Sequence, residues 1–196
     1  MKAARLGLVG LLVALAGAPA PVTAQAGKTA EKGLDWNQFR GPNRDAHSSD
    51  SGLLQEWPKE GPPLAWKASG IGVGFSSVSV SGTHAFTMGE VDKKATLLAL
   101  NVADGKILWK LPFGAPVTDN QGGPGPRSTP ATDGTLVIAL APAGELVCAR
   151  VADGKVVWQK NVKEFGANEG SWHFSESPLL DGASVVLTPG GTVVAL

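Results

Sequence analysis

Residues 99–109 read Ala99-Leu100-Asn101-Val102-Ala103-Asp104-Gly105-Lys106-Ile107-Leu108-Trp109, and residues 148–158 read Cys148-Ala149-Arg150-Val151-Ala152-Asp153-Gly154-Lys155-Val156-Val157-Trp158. The second copy starts 49 positions after the first. Self-similarity at a spacing of about 20–50 residues marks a chain built from stacked units that cannot bury their apolar faces alone. Each unit is rich in Val, Leu, Ile and Trp and is broken by Asp-Gly. It therefore reads as short strands and hairpins. Asp-Gly is the dipeptide that supplies the positive φ angles of a tight hairpin.

Working outward, Leu64-Ala65-Trp66-Lys67 matches the ends Leu108-Trp109-Lys110 and Val157-Trp158-Gln159 and is predicted to be the last strand of a preceding unit. Ser77 to Val80, His84 to Met88, Ala95 to Val102 and Ile107 to Leu111 make four strands of a first complete unit. The alternation over Ser77 to Val80 predicts one buried face. Thr129 to Thr132, Leu136 to Leu140, Glu145 to Val151 and Val156 to Lys160 make a second unit. Ser177 to Leu180, Val185 to Leu187 and Gly191 to Leu196 begin a third.

Four strands in about 45–50 residues fit a β-propeller blade. The predicted fold is all-β, an incomplete propeller of four-stranded antiparallel blades. Residues 64–196 supply about two full blades, part of a third and one preceding strand. Propellers close with about 4–8 blades. The expectation is therefore a truncated piece of a longer ring, its partners being the remaining blades or other copies of the chain. An unpaired edge on the last strand would be a template for aggregation.

Residues 1–24 read as a signal peptide. Lys2 and Arg5 form a basic start, Leu6 to Gly17 is apolar and uncharged, and Val22-Thr23-Ala24 places small residues before a cut at Gln25, with Ala24-Gln25-Ala26 offering a second site. The apolar stretch is short for a membrane span of about 20 residues, and Pro19 and Pro21 follow it. The expected location is the periplasm or the exterior, with no membrane span after the leader is removed. Residues 25–63 form a second region, a polar linker followed by an irregular aromatic and Pro-rich segment. That segment is expected to lie across the folded surface, anchored by Trp36, Phe39 and Trp57.

The chain carries 17 basic and 17 acidic residues. Without the clustered Lys and Arg of a nucleic-acid surface, nucleic acid is excluded as a partner. Cys148 is the only cysteine and there are three histidines, so neither an intrachain disulfide nor a zinc cluster has its material. Cys148 stands where the first copy has Ala99, and is read as a small core hydrophobe. Gly70-Ile71-Gly72-Val73-Gly74 precedes a strand rather than opening a helix, so it is no dinucleotide fingerprint.

The motif at Ala99 to Trp109 resembles the tryptophan-docking repeat of the PQQ-like β-propeller family, whose members include quinoprotein alcohol dehydrogenases and the propeller component of the outer-membrane barrel assembly machinery. The resemblance covers residues 64–196. The opening Asp35-Trp36-Asn37-Gln38-Phe39-Arg40-Gly41-Pro42 is similar to the start of exported bacterial repeat proteins with no assigned reaction. The resemblance implies that each Trp packs between blades against the Ala and Gly of an adjacent motif. Those roles then fall on Ala99, Gly105 and Trp109 and on Cys148, Gly154 and Trp158. Arg150 departs from the family's Asp or Asn, which implies a lost polar contact.

The same resemblance raises pyrroloquinoline quinone (PQQ) and calcium as cofactors of a complete relative, although none is assigned to this chain. Glu176 is the candidate metal-side carboxylate. Arg127, Trp172 and His173 open successive blades and are the candidates for contact with a ligand at the channel mouth, a protein or a small molecule. Arg pairs carboxylates and Trp offers a stacking face. No catalytic residue is assigned. The leading expectation is an exported binding or scaffold module. Part of a PQQ-dependent dehydrogenase and an outer-membrane assembly subunit are the alternatives. The single cysteine counts against both: the family's dehydrogenases often carry an adjacent-cysteine disulfide, and a lipid-anchored subunit needs a cysteine after its leader.

Overall fold

The computed structural model describes residues 35–117 and 122–196. The leader and the polar linker through residue 34 lie outside them. Three antiparallel sheets follow in chain order. The first holds β1 (Ser79–Ser81), β2 (His84–Val91), β3 (Lys94–Asn101) and β4 (Ile107–Gly114). The second holds β5 (Ala131–Thr132), β6 (Leu136–Leu140), β7 (Glu145–Arg150) and β8 (Val156–Asn161). The third holds β9 (Leu179–Asp181), β10 (Ser184–Leu187) and β11 (Val194–Ala195). Each strand pairs with its sequence neighbour, so each sheet is a meander, and the whole is an incomplete β-propeller. Among the described residues, helix is confined to 3₁₀ turns at Val162–Phe165 and Pro189–Gly191.

The sheets stack face to face. Phe86, Met88, Leu97 and Ala99 of the first meet Val137, Ala139, Val147 and Ala149 of the second in one buried cluster. Ile138, Leu140, Leu146 and Cys148 point the other way and meet Val185 and Leu187 of the third. This explains why the central strands read as near-continuous apolar runs, since both of their faces are covered. The outer strands β4 and β8 alternate or stay largely exposed.

The first strand of each unit differs from expectation. Over Ser77 to Val80 the buried side chain is Ser79, while Val78 is 48% exposed. The inner strands converge, and small hydroxyl side chains fill the narrow space: Ser79, Ser128, Thr129 and Thr132 are all buried. Residues 64–67, predicted as a strand, have no ladder partner among the described residues. A strand is defined by a neighbour's amides and carbonyls, and apolar composition alone does not supply one.

The turns also correct the reading. At Asp104-Gly105 and Asp153-Gly154 only the glycine has positive φ, at 69° and 68°. Each loop is a single tight coil closed by Gly105 N–H donating to Asn101 O at 2.8 Å and Gly154 N–H to Arg150 O at 2.9 Å. Two-residue hairpins lie elsewhere, at Gly82-Thr83, at Gly182-Ala183 and between β2 and β3; in the last of these both loop residues have positive φ. There Asp92 and Lys93 adopt φ of 48° and 58°, a type of turn that favours Gly and Asn.

The segment from Asp35 crosses all three units. Trp36 and Val80 exchange N–H to O bonds at 2.9 Å each. Thr132 N–H donates to Asn37 O at 2.9 Å. Arg44 donates to Pro178 O at 3.2 Å and to Ser177 O at 3.4 Å. Trp36 is thus held, and Phe39 lines a cavity described below. Trp57, expected as an anchor, is 63% exposed: Pro58 and the turn closed by Gly61 N–H to Pro58 O keep its backbone off any sheet.

Candidate functional site

The repeated motifs position their tryptophans one unit forward. Trp66 donates its indole N–H to Val102 O at 2.8 Å, and Trp109 donates to Val151 O at 2.9 Å. A Cβ on Gly105 would meet the Trp66 ring at 2.4 Å, and one on Gly154 would meet the Trp109 ring at 2.8 Å. Ala99 and Cys148 are the cross-strand neighbours of Trp109 and Trp158 within their own sheets. Trp158 packs on the cluster between the second and third sheets. Where Asn101 Oδ1 accepts from Ala103 N–H at 2.8 Å, Arg150 has no acceptor. Its guanidinium turns instead to Asp153, with Nε 3.0 Å from Oδ1, and that contact holds the Asp153 carboxyl below the ordinary range. Cys148 is a free, fully buried thiol. Burial, then the nearby Asp133 charge, raise its pKa to about 11.

The channel-mouth candidates divide between two adjoining cavities. A cavity of about 530 Å³ gathers Arg127 and Glu176 with Phe39 and Arg44 of the crossing segment, over a floor of Leu179, Val186 and Leu187. A second, of about 320 Å³, is lined by Trp172, His173 and, again, Glu176 with Thr188. Sequence reasoning missed Arg44 and Thr188 and read Phe39 only as an anchor of the N-terminal segment. Arg44 carried no local signal for this site, because the third-unit carbonyls it caps lie 133 and 134 positions away.

Each polar group is held. Glu176 Oε2 accepts from Thr188 N–H at 2.6 Å and from its hydroxyl at 2.9 Å, while Oε1 is buried with no hydrogen-bond partner. Arg127 donates to Gly123 O and Gly125 O, and its guanidinium lies 5.4 Å from the centre of the Phe75 ring. Trp172 stays 51% exposed. His173 has a φ of 60° and sets Nδ1 2.5 Å from Glu169 Oε1. Lys163 Nζ reaches Glu169 Oε2 at 2.5 Å. Lys163 first and His173 second hold the Glu169 carboxyl below its usual range.

A calcium-like ion takes about 6–8 oxygen ligands. Among the described residues no three His, Cys, Asp or Glu side chains converge. In the larger cavity one carboxylate, already engaged by Thr188, faces two guanidinium groups. That donor set does not fit the ion. Among the described residues no helix is long and apolar enough to cross a membrane.

A family model described as outer membrane protein assembly factor BamB matches residues 93–196. Among solved structures, the quinohemoprotein alcohol dehydrogenase of Comamonas testosteroni aligns with a TM-score of 0.57 at 17% identity, over 81% of this chain and 23% of that one. BamB of Moraxella catarrhalis aligns with a TM-score of 0.46 at 16% identity, over 62% of this chain and 36% of that one. A europium-containing methanol dehydrogenase aligns with a TM-score of 0.45 at 17% identity, over 64% of this chain and 22% of that one. The chain thus spans about a third or less of the length of these structures. No curated protein matches it.

Proposed function

The chain belongs to the PQQ-like propeller repeat family whose model bears the description outer membrane protein assembly factor BamB, and from that premise we propose that it serves as an exported binding and scaffold module. One observation carries the reading. Arg127 and Glu176, on successive units, converge with Arg44 at one cavity whose floor is Leu179, Val186 and Leu187. A concave, mostly apolar site with a few fixed polar groups is the usual form of a binding pocket. Its polar groups are committed to orientation: Thr188 holds the Glu176 carboxylate, and loop carbonyls hold Arg127. Among the described residues neither His nor Lys lines this cavity, so none of them stands as a general base of those kinds beside its serines.

The chemistry suits a polypeptide segment or small acid that offers an apolar group to the floor and a carboxylate to the guanidinium rim. A protein partner accords with the name of the matched family. The tryptophan seats support a scaffold role, because each fixes one unit to the next. Export rests on the leader pattern of residues 1–24.

The test is calorimetric titration of the purified mature chain with short leucine-containing peptides ending in glutamate, alongside their amidated, uncharged counterparts. Saturable binding of the acidic peptides, weakened about tenfold or more in Arg127→Met, is the expected result. Dye reduction with added calcium, PQQ and alcohols that disappears in Glu176→Gln would overturn it in favour of an enzyme.

A further inference from the structure

The segment from Asp35 to Ala46 is attached to the rest of the protein by its contacts rather than by its place in the chain. Residues 47–78, which join it to β1, contain no strand and rest on the first unit alone among the sheets, through a bridge between Val73 and Glu90, Lys110 donating to Gly70 O, Met88 N–H donating to the Ser76 hydroxyl, and the Trp66 indole on Val102 O. Its two ends grip different units. At one end the paired bonds between Trp36 and Val80 extend the edge of β1, and Asn37 O takes the Thr132 amide of β5. At the other, Arg44 caps the carbonyls of Ser177 and Pro178, just before β9.

Between those ends the chain is tied to itself. Gln38 is buried, donates to Pro42 O at 2.9 Å and accepts from Arg44 at 3.3 Å. Gly41 N–H donates to Gln38 O, and Ala46 N–H to Arg40 O. Arg40, Arg44 and Ala46 all hold positive φ, a conformation that costs energy in non-glycine residues and persists only where surrounding contacts demand it. Gly41 lies flat on the Trp36 ring, where a Cβ would meet it at 2.8 Å. A compact knot of fixed length therefore spans from the first unit to the third across the edges of their first strands.

We propose that residues 35–46 are an internal latch. The latch sets the spacing of the three units along their inner edges and covers the amides and carbonyls through which another strand would add there. It opens and closes as a local unit, separately from the sheets. This inference stands apart from the ligand reading of the cavity, although Phe39 and Arg44 also wall that cavity.

Native-state hydrogen exchange on the full chain tests it. The Val80 and Thr132 amides donate to latch carbonyls and report closure directly. Two variants loosen the latch from different places: Arg44→Ala removes the far grip, and Gly41→Ala sets a Cβ against Trp36. In both, exchange at Val80 and Thr132 is expected to rise about tenfold or more, while amides of β3 and β7 keep their wild-type rates, as for an independent opening unit. Unchanged rates at Val80 and Thr132 in both variants would overturn the latch. So would an equal rise throughout β3 and β7, because the segment would then be inseparable from the core.

Discussion

The indole N–H of Trp109 reaches across from β4 to the carbonyl of Val151, 42 positions later, at 2.9 Å, with its ring laid on Gly154. The contact joins a hydrogen bond to the burial of a large ring at the boundary between two sheets. Trp109→Ala should cost about 3–5 kcal/mol, and Trp109→Phe about 1 kcal/mol, because it keeps most of the ring and leaves the Val151 carbonyl unanswered. Gly154→Ala should also destabilise, by about 1–3 kcal/mol, since it combines a positive φ with a clash. Urea denaturation of the full chain measures all three. A Trp109→Ala cost below about 1 kcal/mol would place the ring outside the load path.

The hairpin at Asp92 and Lys93 offers a change in the opposite direction. Both residues are in the left-handed region, and glycine adopts that conformation without the Cβ penalty. Lys93→Gly creates the Asp-Gly turn that the geometry asks for. A gain of about 0.5–1 kcal/mol in denaturant unfolding is expected. A loss would mean that the Lys93 side chain contributes more than its backbone conformation costs.

The Lys163, Glu169 and His173 cluster predicts a response to acid. The folded-state pKa of Glu169 is lowered by Lys163 first and by His173 second. A lowered carboxylate pKa contributes stability that is fully present above the unfolded value and is lost as pH falls through the folded one. The loop over residues 166–173 should therefore exchange its amides faster as pH falls from about 5 to about 3, after correction for intrinsic rates. In Glu169→Gln this acceleration should flatten. Equal pH profiles in the two proteins would remove the cluster from the account.

Cys148 should be inert while the protein is folded. Burial and Asp133 push its thiol up to about 11, and the thiolate is the reactive form. Alkylation by iodoacetamide near pH 8 should track unfolding, with its rate rising in urea alongside the loss of the fold. Rapid modification in native buffer would show that the thiol is reached without unfolding.

What could be read from the chain beforehand was what repeats. Leu136 to Leu140 is bounded as expected, and the two Asp-Gly loops close where the motif places them. What escaped depends on distance or on backbone strain. Asp92-Lys93 looks like ordinary polar chain, and only the eight-residue ladder between β2 and β3 forces it into a left-handed turn. Ser79 reads as a surface residue until β5 comes close to it. Arg44 is one arginine among several until residues more than 130 positions later supply its carbonyls. Arg127 and Glu176 were singled out separately, and their meeting at one cavity needed the third sheet in place.

The forward seating of Trp66 on Gly105 and of Trp109 on Gly154 gives the array a direction in time. A ribosome delivers each ring before its seat exists, so every unit waits on its successor for its last contact and none matures alone. It also makes the array indifferent to where a duplication is cut. An inserted stretch of one whole period presents a ring to the unit after it and a seat to the unit before it, whichever residue marks the breakpoint. Growth by tandem copying can thus lengthen such a chain without inventing a new junction.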